Sequence, residues 1–475
     1  MSNHVTIISS DTHAGGKILD YKPYLESRWH DEFEEWKSRY TNPFRDLQES
    51  APEGSSRDRN WDKNRRTTEQ YEDGIVAEIV FPNTVPPFFP TAQFNAPQPT
   101  PKNFERRLAG LRAHARWLKD FCDELPGQRC GLPQIALNDI DEAITDVRWA
   151  AGNGFTSVMI PHVPPDSDLD HYFTETYDPL WAECQELGIV LTQHGGTGVP
   201  SYKGSPATPF LLLMEVPFYA QKSMWHLILG GVFERFPKLK YVMTEQGVSW
   251  VKPTLDRMDT FWNQMTKTGR VGELGMTAEQ MLPQKPSDYF QQNCWIGASF
   301  PAPSDAQAIR ELGVDRVMWG SDYPHDEGTY PHTKEALRNT FAGWNEQDLR
   351  SVLGHNAAHV YQMDLDTLAP LAEQHGPTIE ELQQPLTSMP DNASPAFTRG
   401  YPHETATSRC ITRRTRNSSS PQRHAKQPNA RNRRIRRNPR NTGRSTAVQK
   451  PWCDGEFRII IPTTRNRPPT PSTRR

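Results

Sequence analysis

The sequence lacks most of what would tie a chain to a membrane or staple it from outside. No run of 18 apolar residues occurs in its 475 residues, so no transmembrane helix is expected. The opening MSNHVTIISSDTH has neither the basic start nor the apolar stretch of a secretory leader. Cysteine is sparse, and Cys122, Cys130, Cys184, Cys294, Cys410 and Cys453 include no Cys-x-x-Cys pair. That spacing argues against a disulfide framework or a cysteine zinc site and fits a reducing cytoplasm. No glycine-rich phosphate loop follows the first apolar run, where DTHAGG stands instead, and no short internal repeat is present. Apolar residues make up only 35% and proline is abundant at 42, so part of the chain is expected to lie outside any packed core.

Charge locates that part. The net charge of −3 conceals a split: residues 401–475 hold 19 Lys and Arg against 3 Asp and Glu, and the body is acidic. The tail, with RNRRIRRNPRNTGRS at its centre, has almost no apolar periodicity and cannot bury enough surface to offset its ordering entropy. Disorder is the expectation for 401–475, with 366–400 as a linker. A nucleic-acid-binding arm is the rival reading, but no aromatic side chain interrupts that arginine run as a stacking platform would.

The body alternates short apolar runs with helical patterns. Runs at 5–13, 74–83, 132–139, 155–164, 189–196, 239–247, 293–300 and 316–325 read as eight strands. They are continuous rather than alternating, as in parallel strands buried on both faces. Between them, Phe104, Leu108, Leu111, Ala115, Leu118, Cys122 and Leu125 mark one face of a helix. Asp139 and Glu142 form a capping pair for a helix that Gly152 stops. This is the pattern of a (β/α)8 barrel, with a doubly wound open sheet as runner-up. Residues 20–73 break the repeat and are read as an insertion capping the barrel mouth.

The strand ends carry the chemistry. Asp11 and His13 end the first strand, His162 the fourth, His194 the fifth, Glu245 the sixth and Asp322 the eighth, followed by His325. In a barrel these ends meet at one face, which is where barrel enzymes react. Asp11 and His13 are two apart on a strand and point the same way. With His194 and Asp322 they bring two imidazoles and two carboxylates to one point, a set suited to zinc, manganese or iron. Glu245 could act as a general base or hold a second metal. His162 could bind substrate or be a core histidine. Arg257 could clamp a substrate carboxylate or make a surface ion pair. Trp319 could line the substrate, with barrel packing as the competing role, and His325 is expected to orient the last loop.

Taken together, DTH at 11–13, LTQHGG at 191–196, GGVFERFPKLKYVMTEQG at 230–247, DRVMWGSDYPH at 315–325 and VLGHNAAHVY at 352–361 resemble the amidohydrolase superfamily. Within it they resemble the branch of the aminocarboxymuconate semialdehyde and resorcylate decarboxylases. The resemblance spans roughly residues 3–363. It implies a metal-dependent TIM barrel with Asp11, His13, His194 and Asp322 as ligands of one divalent ion, zinc first and manganese or iron as alternatives. Dimer formation is implied only by the resemblance. The relatives carry a histidine at the sixth strand end, where this chain has Glu245. The expected activity is hydrolysis of a small carboxylated or cyclic substrate by a metal-activated water, with Asp322 taking the proton and Glu245 orienting the water. Non-oxidative decarboxylation of an aromatic or enol acid is the alternative, and iron-dependent oxygenation a more distant one.

Overall fold

The computed structural model describes residues 2–42, 54–90, 96–196, 198–200, 205–275, 281–394 and 396. The expectation of a disordered 401–475 tail lies outside the described residues, as does part of the expected insertion.

Eight parallel strands form the centre: β1 (Ile7–Ala14), β2 (Ile75–Pro82), β3 (Arg129–Gly131), β4 (Ser157–Met159), β5 (Val190–His194), β6 (Tyr241–Thr244), β7 (Cys294–Ser299) and β8 (Val317–Gly320). They run in chain order in two parallel sheets, β1–β2–β3 and β4–β5–β6–β7–β8. Two seams close the circuit. Gln134 bridges to Met159 between β3 and β4, and Thr12 bridges to Tyr323 between β1 and the end of β8. The second seam is the tighter, with His13 N donating to Tyr323 O at 2.7 Å and Asp322 N to Asp11 O at 2.9 Å. The result is a (β/α)8 barrel.

Alternation along the strands sorts side chains into two layers. Ile8, Ile79, Met159, Val190, Val242, Trp295 and Met318 fill the barrel interior. Val80, Val158, Leu191, Tyr241, Met243, Ile296, Val317 and Trp319 pack outward under the helices. Both layers are almost fully buried, which is why the strands read as unbroken apolar runs. The expected helices form at Phe104–Asp123, Ile140–Gly152 and Asp178–Leu187, and Asp139 accepts from the amides of Asp141 and Glu142 as the cap.

Three boundaries differ from expectation. The third strand lies at Arg129–Gly131, before the expected 132–139, because the charge of Arg129 hides the start of the run. Pro133 cannot donate to a ladder and leaves only the isolated Gln134 bridge beyond it. Within the expected insertion, Lys63–Glu72 is a helix that connects β1 to β2, with Arg66 wholly buried. Residues 366–383 are not a linker: helices Leu365–His375 and Ile379–Gln383 bury Leu368, Ala372 and Leu382. Val5 N donates to Pro377 O at 2.9 Å, which ties that segment to the barrel floor. Among the described residues no helix is long and apolar enough to cross a membrane.

Candidate metal centre

Asp11 and His13 point into the barrel from β1, His194 from β5, and Asp322 follows β8. His13 Nε2 stands 3.4 Å from Asp11 Oδ1 and 3.2 Å from Asp322 Oδ1, and His194 Nε2 stands 3.5 Å from the same Asp11 oxygen. Ligand atoms of Asp11, His13 and His194 lie within 4.8 Å of one another, as do those of His13, Asp322 and His325. All four expected ligands are at most 3% exposed.

Local backbone explains the convergence. Gly320 must be glycine, since a Cβ there would sit 2.5 Å from the Cβ of Asp11. Gly195 lets β5 pass Glu245, whose carbonyl oxygen would be 2.5 Å from an added Cβ. Asp322 (φ 61°) and Glu245 (φ 56°) both occupy the left-handed region. For residues other than glycine that conformation costs on the order of 1–3 kcal/mol and collects at functional sites.

The donors are arranged for a cation. Asp11 Oδ1, both nitrogens of His13 and Asp322 Oδ2 are buried with no hydrogen-bond partner, an arrangement native interiors avoid unless something else fills it. His194 Nδ1 is 2.8 Å from the Gly195 carbonyl oxygen, which directs Nε2 toward Asp11. Ser299 donates to Asp11 Oδ2. His325 Nδ1 lies 2.8 Å from Asp322 Oδ1, its Nε2 lies 3.1 Å from Asn83 Oδ1, and its ring stacks on His13 at 4.1 Å between centroids. The residues present fit a divalent ion with mixed nitrogen and oxygen ligands.

Electrostatics agree with the geometry. Burial opposes charge on Asp11, yet His194 and His13 hold its carboxyl well below the usual range. Burial would likewise keep His194 neutral, but Glu245 and Asp11 lift it to about 10. Asp322 is lowered against burial by His325 and His13, and His325 is raised against burial by Asp322 to about 9. The proton on His194 thus stands where a metal ion would displace it. Glu245, with its side chain 28% exposed and Oε2 3.4 Å from His194 Nδ1, is pushed up to about 7 by burial and, against His194, by Asp322 and Asp11.

Other expected site residues divide. His325 belongs to the site. His162 is buried with Nε2 2.8 Å from the His194 carbonyl oxygen and Nδ1 3.4 Å from Ser223 Oγ, and burial lowers it to about 4. With both nitrogens engaged, it supports the β5 backbone. Trp319 faces away from the centre: strand alternation turns it into the outer packing layer at 1% exposure. Arg257 is not in the site either, since it is exposed on the outer helix Val251–Thr268, over the ring of Phe261.

Sequence reasoning missed Ser299, Asn83, Glu327 and Phe81. Phe81 brings its ring within 4.7 Å of His194 and 5.9 Å of His13. Each ends or follows a recognised strand, and position at a strand end was the available signal.

The sequence pattern of the Amidohydrolase family matches residues 51–363. The chain belongs to that family. His194, Glu245 and Asp322 fall inside the match, and Asp11 and His13 precede it. A gamma-resorcylate decarboxylase from Polaromonas sp. is 23% identical over 239 residues, which cover 49% of this chain and 68% of the relative. The crystal structure of 5-carboxyvanillate decarboxylase from Sphingomonas paucimobilis has the same fold, with a TM-score of 0.55 at 18% identity over 76% of this chain and all of that one. A dihydroxybenzoic acid decarboxylase from Polaromonas sp., solved with bound manganese and 2-nitroresorcinol, superposes with a TM-score of 0.51 at 18% identity, covering 75% of this chain and 97% of its own.

Proposed function

We propose that this amidohydrolase-family enzyme is a metal-dependent, non-oxidative decarboxylase of a hydroxylated aromatic acid. The order of preference drawn from the sequence, hydrolysis first, is thereby reversed. The observation that carries the reading is the buried set of ligand atoms on Asp11, His13 and Asp322 that make no hydrogen bond, beside His194. Its direction toward decarboxylation comes from relatives that are decarboxylases both by sequence and by fold. The Phe81 ring beside His13 and His194 offers an aromatic substrate a flat apolar wall.

Asp11, His13, His194 and Asp322 would hold the ion. Bound there, a divalent metal supplies a Lewis-acid anchor for the substrate carboxylate and a neighbouring oxygen. Manganese, which the Polaromonas enzyme carries, suits two carboxylates and two imidazoles at least as well as the zinc expected from sequence. The barrel residues then handle one proton. A C–H bond forms at the ring carbon bearing the carboxylate, the C–C bond breaks, and its electron pair returns to the ring as carbon dioxide leaves. Asp322 carries that proton and is recharged from His325, whose side chain is 26% exposed and reaches solvent. His162 holds the β5 carbonyl and takes no part in transfer. No water is consumed, and a reducing cytoplasm suits the free thiols of Cys122, Cys130, Cys184 and Cys294.

The test is product analysis. Manganese- and zinc-loaded protein is incubated in 18O-water with 2,6-dihydroxybenzoate, 5-carboxyvanillate and related phenolic acids, and with cyclic amides and esters. Carbon dioxide release with no 18O in the organic product is expected. Turnover of an amide or ester with 18O incorporation would return the enzyme to the hydrolases. A requirement for oxygen would point to iron chemistry.

A further inference from the structure

Strand β3 gives the centre no metal ligand, yet one polar side chain beyond it faces the barrel interior. Gln134 follows β3 and bridges to Met159 of β4: Met159 N donates to Pro133 O at 2.8 Å and Ile135 N to Met159 O at 3.1 Å. Residues bridged in this way face the same side of a sheet. Met159 fills the interior, and so does Leu132, two residues before Gln134. Gln134 therefore points inward too. It lies beyond Leu132, toward the C-terminal strand ends that His13, His194 and Asp322 occupy.

Its neighbour on β2 is the wall already described. Val80 pairs with Gly131, so Phe81 stands beside Leu132, and Gln134 is one pleat nearer the mouth. The Phe81 ring flanks His13 and His194. An aromatic acid laid against Phe81, with its carboxylate on the metal side, turns another edge of its ring toward β3.

Gln134 is 3% exposed, and neither Nε2 nor Oε1 has a hydrogen-bond partner. Gln193 shows how this barrel treats a buried amide that serves structure. It faces outward from β5, donates to Pro161 O at 2.9 Å and accepts from the Tyr241 hydroxyl. The outward amide is engaged at both ends, and the inward one at neither. A polar group kept from water without partners is costly, and native interiors rarely tolerate it.

We propose that Gln134 is a specificity-determining residue, whose amide recognises a hydroxyl on the part of the substrate ring remote from the carboxylate. This rests on the decarboxylase reading above. An amide offers a donor and an acceptor side by side, and a hydroxyl is both. A methyl group in that place would leave both amide atoms unpaired, and a carboxylate would set its charge against Oε1. The substrate class narrows accordingly, to aromatic acids with a hydroxyl at the 4- or 5-position besides the one that reaches the metal.

Two measurements on manganese-loaded protein test this. Before any acid is added, Gln134→Met should unfold at or above the wild-type midpoint, because an apolar chain of similar length replaces an unpaired buried amide. A midpoint several degrees lower would show that the amide is bonded within the fold and would overturn the inference. Calorimetry then compares 2,4-dihydroxybenzoate with 2-hydroxy-4-methylbenzoate, and the corresponding pair at the 5-position. Wild type should bind the hydroxyl member of one pair at least about tenfold more tightly, with kcat/KM for decarboxylation following the same order. Gln134→Met should lose that preference. Equal binding within both pairs by wild type, with the acids still decarboxylated, would overturn the role of Gln134 alone, as would a preference that survives in Gln134→Met. Failure to bind or decarboxylate any of these acids would sink the decarboxylase reading and this inference with it.

Discussion

Two clusters of buried charge meet back to back on β1, and they are built on opposite rules. Facing into the barrel beside His194, Asp11 and Asp322 each leave a carboxylate oxygen, and His13 its ring nitrogens, without hydrogen bonds. Facing out, Glu78 of β2 is saturated. Its Oε1 accepts from Arg66 Nε at 3.0 Å and Arg129 Nε at 3.1 Å, and its Oε2 accepts from Thr12 and Gln70, each at 2.8 Å. Arg66 also donates to the carbonyl oxygen of His13 at 2.6 Å, so the outer cluster grips the strand that presents the inner one. Both clusters are nearly inaccessible to water. A buried carboxylate with every lone pair filled, like Glu78, is held as structure, and one with lone pairs to spare is open to a ligand.

The largest difference should appear when each cluster loses one charge. Asp322→Asn keeps shape, and asparagine accepts the left-handed backbone at that position. Turnover should fall by ~10²–10⁴-fold, the range for losing an acid–base group. Thermal stability should fall less than in an Arg66 variant: Asp322 loses its ion pairs with His13 and His325, but its Oδ2 makes no hydrogen bond to lose. A melting temperature that drops as far as that of an Arg66 variant would erase the distinction between the clusters.

The outer cluster should behave the other way. Arg66→Met leaves Glu78 buried beside Arg129 alone and should cost ~3–5 kcal/mol of unfolding free energy. The pH dependence sharpens this. Burial disfavours charge on Glu78, but Arg66 and Arg129 hold it at about 2, below its ordinary 4.5. A depressed carboxylate stabilises the fold above its unfolded pKa, and that contribution is lost as pH falls from about 4.5 to about 2. Its size is on the order of 3 kcal/mol. Denaturant unfolding of wild type and Glu78→Gln should therefore differ by about that much at pH 7 and converge near pH 2. A constant gap across the range would mean that the pair contributes shape rather than charge.

The contrast also shows what the sequence could and could not disclose. The inner cluster was legible because each member closes an apolar run, as in IISSDTH, IVLTQHGG and RVMWGSD. The outer cluster left only one trace, a lone glutamate inside IVAEIVFP. Its partner Arg66 sits in a helix of polar residues where nothing distinguishes a buried arginine from an exposed one. Arg257 and Trp319 failed for the complementary reason, since residue type suggests a role but only the fold decides which way a side chain faces. The helices at 365–383 were readable in principle: Thr378 and Glu381 form a capping box, and Asp364 caps the helix before it.

The smallest effect concerns how closely β8 must approach β1 for the inner cluster to exist. A Cβ on Gly320 would meet Asp11 Cβ at 2.5 Å and Asp11 N at 3.1 Å. One of those atoms is backbone, so the strand rather than a flexible side chain must yield. Gly320→Ala should cost ~1–3 kcal/mol, the usual range for overpacking, and should weaken inner-site metal binding because Asp11 is displaced. Gly152→Ala is the control: it ends a helix in open space, with a conformation an alanine can share, and should be neutral or gain ~0.4–1 kcal/mol. Metal affinity by calorimetry separates packing from placement. Gly320→Ala with reduced stability but wild-type affinity would show that Asp11 is placed by Ser299 and its own strand, and that the close approach of β8 serves the barrel seam alone.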